Sequence, residues 1–383
     1  MIQLIEKLNC CGCTACASIC AHNAITMFPD NLGFLYPKIN MELCVNCGLC
    51  ENVCQFHDKY ERYNNYEIPK SFQFRIVPDI ELMKSQSGGA FFAIANKFIS
   101  TGGVVYGAAF TDTWKVTHQR VSDIKSLEAL RMSKYVQSDM RGVFSLVKED
   151  LKNGLKILFS GTSCQVAGLK SYIPPRYHDN LFCIDIICHG VPSPKIWEDY
   201  IAYLQNSRKS KIVKACFRDK RFGWHGARES FLFENGKEEF RRTSNCLYFR
   251  GFSIRESCTQ CHYTNLKRVG DISIGDQWGL SKDSLYEDEK GLSVVFCNSE
   301  KGENLFQQIG HVNIVESCKL SNCMQPQLQK PTEINPKHKK FVYDYTSKGF
   351  LYIAKRYGDM GWRYKKDLIV KSIKDIIRPL IKR

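Results

Sequence analysis

The sequence predicts an α+β chain in three parts: a small N-terminal module held by cysteines, a mixed α/β body and a helical C-terminal tail. Three observations carry that prediction. Eight of the 19 cysteines fall in two short ladders within the first 54 residues. From about residue 85 to 330, apolar runs of strand length alternate with runs of helical period, the pattern of a mixed α/β core with some parallel pairing. Beyond residue 335 the chain reads as helix.

The ladders come first in the chain. Cys10, Cys13, Cys16 and Cys20 read C-x-x-C-x-x-C-x-x-x-C, and Cys44, Cys47, Cys50 and Cys54 repeat that spacing. In bacterial ferredoxins three sulfurs of such a ladder take one 4Fe–4S cube, and the fourth cysteine reaches across to the other cube. The spacing therefore assigns Cys10, Cys13, Cys16 and Cys54 to one cluster, and Cys44, Cys47, Cys50 and Cys20 to a second. Disulfide frameworks suit short secreted chains, and structural zinc rarely takes four closely spaced cysteines twice over. Residues 1–57 are thus a dicluster, bacterial-ferredoxin-like module. Between its ladders, residues 24–28 and 33–37 read as a hairpin around Asp30-Asn31. So small a module has little core of its own, and the clusters act as staples.

At 383 residues the chain exceeds one ordinary domain. Its composition, 44% hydrophobic and 24% charged, is that of a soluble globular protein. No run approaches 18 uncharged apolar residues, so no membrane span is expected, and no secretory signal is visible. Eleven cysteines remain outside the ladders, an odd number that argues against full disulfide pairing and for a reducing, cytoplasmic setting. The net charge of +15 is uneven: residues 1–60 carry −2, and residues 355–383 carry ten Lys/Arg against three Asp. Such a balance suits a ferredoxin or similar acidic redox protein. Without a nucleic-acid-binding motif, nucleic acid is not expected as a partner.

Residues 58–70 are polar and aromatic and read as a linker. A first stretch of the body, 71–150, begins with Ser85-Gln86-Ser87-Gly88-Gly89 before an apolar helix, then a buried strand, a second strand and a helix around 123–131. A second stretch, 151–330, begins with a strand running into Thr162-Ser163-Cys164 and a helix. A further buried strand ends at Cys188-His189-Gly190, and the pattern turns β-rich from 210 to 275. The basic tail, 331–383, contains an amphipathic run in which Ile369, Ile373, Ile376 and Leu380 share a face. That face docks on the body, or binds a partner or an anionic membrane surface peripherally.

Several motifs bear chemistry. Small residues before a helix let backbone N–H groups face a phosphate, although a helix cap has the same look. Cys164 opens a helix, Cys188 ends a strand, and Cys258 and Cys261 form a C-x-x-C, which together make the right number of thiols for a third cube. Zinc binding and plain buried thiols fit the same pattern. Arg218 and Lys220 are placed to hold an anionic cofactor or substrate, with Trp224 beside a planar ring, while a surface hairpin is the plainer reading. His189 and Asp276, each just past a strand, are the candidate catalytic groups. Cys183, Cys216 and Cys297 lie within strands as small core residues. Cys11 has the wrong spacing for a ladder ligand. No Ser/His/Asp series, HExxH or Walker loop points to a hydrolase or nucleotide-driven enzyme.

In order, GTSCQVAGL, ICHGVPSPKIW, FRDKRFGW, RESCTQC and DISIGDQWG, preceded by SQSGG and SKYVQS, resemble the coenzyme F-420 hydrogenase/dehydrogenase beta-subunit family over about residues 84–280. The resemblance implies an iron–sulfur flavoprotein in which the body binds FAD. It implies a third 4Fe–4S cluster on Cys164, Cys188, Cys258 and Cys261, and a flavin site drawing on Ser87, Gly88, Gly89, Lys134, Tyr135, Gln137 and Ser138. Electrons would pass from a ferredoxin-type donor through the clusters to FAD and on to a small organic two-electron acceptor. The reverse flow, outward from reduced coenzyme F-420, and a non-catalytic electron-transfer component of a larger complex are the alternatives. The chain departs from the family in Ser163 and Glu256, and in Ala21 and Gln55, each standing where proline is usual. Those turns are expected to be looser.

Overall fold

The computed structural model describes residues 7–57, 65–280 and 284–362. The N-terminal module holds α1 (Ala15–Ile19), β1 (Ile25–Pro29), β2 (Leu35–Ile39) and α2 (Leu49–Asn52). The two strands pair antiparallel, Ile25 opposite Ile39 and Pro29 opposite Leu35. Asp30 shapes the turn because its Oδ1 accepts the N–H groups of Leu32 and Phe34 at 2.9 and 3.0 Å. The module's own core is slight, with Cys16, Ile25, Met27 and Cys50 as its buried members.

The body begins with β3 (Lys70–Arg75), α3 (Asp79–Met83), α4 (Ala90–Ser100), β4 (Val104–Phe110), β5 (Val116–Val121) and α5 (Ile124–Leu127). It continues through α6 (Val143–Lys152), β6 (Ile157–Thr162), α7 (Ser163–Tyr172), β7 (Leu181–Ile186) and α8 (Pro194–Arg208). A second group contains β8 (Ile212–Cys216), β9 (Glu229–Phe233), β10 (Glu238–Arg241) and α9 (Thr243–Phe249). The described chain closes with β11 (Ile272–Asp276), β12 (Ser293–Cys297), α10 (Glu300–Gln307), β13 (Ile314–Ser317) and α11 (His338–Arg356).

Eight strands form one mixed sheet in the order β13-β3-β12-β11-β7-β6-β4-β5. β4, β6, β7 and β11 run parallel, and the outer strands pair antiparallel. Strands from both sides of residue 150 enter it, so the stretches 71–150 and 151–330 build a single sheet. The parallel centre is covered on both faces, and its strands are accordingly near-continuous in apolar residues. Leu158 and Ile184 pack with Phe74, Ile94 and Phe98 on one side, and Ile157 and Phe159 with Phe144 and Val166 on the other. β8, β9 and β10 make a separate antiparallel sheet.

The module is built into the body rather than tethered to it. Ala15 of α1 belongs to the core beneath α6 and α7, and Phe34, just before β2, and Tyr36 within it join the core of Trp197, Tyr200 and Phe231. Two sequence expectations change in detail. The helix around 123–131 is reduced to α5 and a 3₁₀ turn, and α11 is broken at Gly349, whose φ of 76° suits glycine. The amphipathic run with Ile369, Ile373, Ile376 and Leu380 lies outside the described residues.

Candidate functional site

Parallel strands deliver loops to one edge of a sheet, where open α/β folds bind their ligands. Here β6 ends at Thr162, two residues before Cys164, β7 is followed by Cys188 and His189, and β11 ends at Asp276. Thr162 caps α7 in a reciprocal box with Gln165, which places Cys164 in the first turn of the helix. Its thiol lies 3.2 Å from the Thr162 hydroxyl, and its pKa is held down to about 7, chiefly by a hydrogen bond from Cys11.

Three distant segments bring Cys164, Cys188 and the Cys258–Cys261 pair together. Burial pushes the Cys188 thiol up, and the neighbouring charges of Cys258, Cys164 and Cys261 push it further. Burial likewise raises Cys258 to about 12 and Cys261 to about 11, with Cys164 adding to both. Gly190 permits the approach: a β-carbon there would sit 3.2 Å from that of Cys258.

The ladder cysteines line two cavities. Cys10, Cys13, Cys16 and Cys54 surround one of about 160 Å³, the inner cavity, beside α7. Cys20, Cys44, Cys47 and Cys50 surround a smaller one of about 20 Å³, the outer cavity. Each ladder's last cysteine therefore faces the other ladder's cavity. Among the described residues no three His, Cys, Asp or Glu side chains converge on a single point as for one metal ion. Cys11 is buried between the inner cavity and the third thiol group, hydrogen-bonded to both Cys13 and Cys164. Gln55 ties the same two sites together. Its Nε2 donates to the Cys164 carbonyl at 2.7 Å, and its Oε1 accepts the Tyr263 hydroxyl at 2.5 Å. The expectation that Gln55 loosens its turn is thereby corrected, because a proline there could make neither bond.

A cavity of about 250 Å³ opens beside Cys188. Ser87, Gly89, Lys134, Tyr135, Ser138, His189, Arg218 and Asp276 all line it. Arg218 donates to Asp276 Oδ2 at 2.6 Å and to the Trp224 carbonyl at 2.5 Å. Burial opposes its charge, but Asp276 and Tyr135 more than offset that, and its pKa is raised. Burial drives Lys134 down to about 7, and its ammonium donates to the carbonyls of Ala129 and Arg131. His189 is lowered by burial against the pull of Asp276.

Three sequence candidates stand elsewhere. Gln137 points away from the cavity and donates to the Cys11 carbonyl at 2.7 Å. Lys220 braces the glycine turn from behind through the Leu82 and Ser87 carbonyls at 2.8 and 2.6 Å. Gly88 is wedged against Phe74 and Ser293, where a β-carbon would meet the Phe74 carbonyl at 2.1 Å. Trp224 is also buried, but Trp278 stacks on it at 5.0 Å and presents a ring to the cavity.

Sequence reasoning missed a polar relay in the wall. His118 Nε2 donates to the Ser160 carbonyl, its Nδ1 accepts from Ser138, and Ser138 accepts in turn from Gln165, each at 2.9 Å. Burial holds His118 down to about 4, so the ring is neutral. Nothing local marks this residue, since β5, β6 and the 133–138 segment meet only in three dimensions.

Comparison with known proteins bears on the whole arrangement. Residues 154–322 match the family described as the C terminus of the coenzyme F420 hydrogenase/dehydrogenase beta chain. Over those residues the chain is similar to the beta-subunit family. Residues 9–57 match the 4Fe-4S dicluster domain, so the chain carries iron–sulfur clusters ahead of its body and is an electron-transferring oxidoreductase by type. A search of curated proteins found no match. Among solved structures, the chain is similar to one in the F420-reducing NiFe hydrogenase complex of Methanosarcina barkeri. The two are 17% identical with a TM-score of 0.46, over 78% of this chain and 95% of that one.

Proposed function

We propose that this beta-subunit relative passes electrons from a ferredoxin-type donor through three 4Fe–4S clusters to FAD in the 250 Å³ cavity, and on to a small organic acceptor. The observation that carries the reading is Cys188. It belongs to the third thiol group and also lines the cavity wall, so a cluster there would adjoin a bound flavin. Cys10, Cys13, Cys16 and Cys54 would hold the inner cluster and Cys20, Cys44, Cys47 and Cys50 the outer one. Cys164, Cys188, Cys258 and Cys261 would hold the third.

The residues present suit a flavin. The N-terminus of α4, which the turn at Ser87 and Gly89 opens onto the cavity, offers backbone N–H groups to a diphosphate. Arg218 adds a fixed cation and Trp278 a flat apolar face. FAD supplies the exchange between single electrons and pairs. The His189 ring has no hydrogen-bond partner among the described residues and faces the cavity with Asp276 close by, which fits it to hand a proton to the acceptor. Electrons would enter at the outer cavity, where Cys47 is exposed amid Met41, Leu43, Val45 and Leu49, an apolar collar suited to a redox protein.

Anaerobic purification with identification of the extracted cofactor tests the reading. FAD with about twelve irons per chain is expected, falling to about eight in Cys258→Ala, because each cube carries four. Protein without flavin would sink the proposal, and an unchanged count of about eight irons would remove the third cluster.

A further inference from the structure

Five arginines are buried among the described residues: Arg75, Arg131, Arg218, Arg255 and Arg268. Four of them pair with carboxylates, Arg75 with Asp288, Arg131 with Glu81, Arg218 with Asp276 and Arg268 with Asp185. Arg255 is the most buried of the five, at 0% exposure, yet among the described residues it has no carboxylate partner. Its Nε donates to the Cys10 carbonyl at 2.8 Å, Nη1 to Gln137 at 3.0 Å, and Nη2 to the Leu35 carbonyl at 2.9 Å. Nη2 also lies 3.7 Å from Cys10 Sγ, and the guanidinium stacks over Tyr36 at 4.2 Å. Gly12 makes room for it, since a β-carbon there would meet Nη1 at 2.8 Å. Neutral acceptors satisfy the donors but leave the charge uncompensated, and a buried charge without a counter-charge is strongly unfavourable.

We infer that the counter-charge of Arg255 is the inner iron–sulfur cluster, and that Arg255 is a positioning residue that raises the cluster's reduction potential. The inference rests on the inner thiols holding one of the module's two clusters, and needs neither the flavin nor the third site. The physical reason is a competition. A ligated cluster is an anion that gains a further negative charge on reduction, so burying it disfavours the reduced state. The inner thiols lie against the body, with Gly168 of α7 packed on Cys13 and Arg255 at Cys10, whereas the outer set has the exposed Cys47. Burial alone would make the inner cluster the harder of the two to reduce, and electrons would have to climb inward. A buried guanidinium at the Cys10 sulfur, in a low-dielectric setting, stabilises the added electron and offsets that penalty. Gln137 fixes the guanidinium while also holding the Cys11 carbonyl, so the cation is locked between inner cavity and body.

Redox titration of the full chain, followed by electron paramagnetic resonance, tests this with Arg255→Gln and Arg255→Lys. Arg255→Gln should move one midpoint negative by about 60 mV or more, the tenfold step of a one-electron couple, while a second signal stays in place. Arg255→Lys should recover most of the shift. Unmoved midpoints with full iron content, or equal shifts in both variants, would overturn the inference while leaving the cluster assignment intact. Should Arg255→Gln fail to take up iron, the unmutated chain labelled with nitrogen-15 arginine provides the second measurement. A guanidinium nitrogen coupled to one reduced cluster is expected. Its absence in a chain that shows both cluster signals would refute the proposal. Loss of one of those signals, the one coupled to the guanidinium, when Cys13 is replaced locates the inner cluster independently.

Discussion

The inner and outer thiol cavities are built from one repeated spacing yet have different surroundings. The outer set lies at the surface, with Cys47 exposed and apolar side chains around it. The inner set is clasped by α7, Gln55, Cys11 and Arg255, and Gly168 of α7 approaches so closely that a β-carbon would stand 2.8 Å from Cys13 Sγ. The same ladder therefore serves as an open contact at one end and a built-in junction at the other. Local sequence sets which sulfurs can share a cube. The surroundings set what that cube is for.

The largest effects should come from breaking one member of the pair. Cys13→Ala and Cys47→Ala are each expected to lose about four irons, as one cube departs. Only Cys13→Ala should also lower the melting temperature of the body, because only the inner site is packed against it. With a small chemical reductant in place of a protein donor, Cys47→Ala should still pass electrons to the body and Cys13→Ala should not. Equal behaviour of the two variants would erase the distinction between junction and contact.

Acid sharpens the comparison next. Burial depresses His118 from 6.5 to about 4. The unfolded chain takes up this proton as pH falls below about 6.5, whereas the folded chain resists until about 4, so folding stability is lost across that window. The loss amounts to about 3 kcal/mol, concentrated in the body and not in the outer module. Denaturant unfolding of the wild-type chain and His118→Gln between those pH values should show a shallower slope in the variant. Parallel slopes would exclude a neutral buried imidazole.

Gly168→Ala is the finest probe. An alanine in a helix normally stabilises by up to about 1 kcal/mol over glycine. Here the clash with Cys13 should reverse the sign, costing about 1–3 kcal/mol, as overpacking does. Anaerobic thermal unfolding should show a lower midpoint and early loss of the inner cluster signal, with the outer signal retained. A gain in stability would mean that α7 can shift away from the module.

Much of this architecture is legible in the residues. The ladder spacing groups eight thiols as the two cavities do, and Asp30 announces its hairpin because an Asp side chain can bond the backbone two residues on. The mixed body follows from apolar runs of strand length, although periodicity says nothing of which strands pair. Cys164, Cys188, Cys258 and Cys261 are suggested by their places at element ends and singled out by family motifs, since spacing cannot join positions nearly a hundred residues apart. The roles of Arg255, Gln137, Lys220 and His118 are not legible at all. Each depends on burial and on partners from other segments, and a string of residues records neither.

Gln55 has a consequence for the history and engineering of this chain. A glutamine in place of the usual proline has made the N-terminal module a custom part. Its amide is shared by the two halves of the protein, bonding the Cys164 carbonyl and the Tyr263 hydroxyl. A ferredoxin cassette with proline at that position could carry the same irons and still leave two buried polar groups stranded, at about 1–3 kcal/mol each. The fusion, once made, has ceased to be interchangeable.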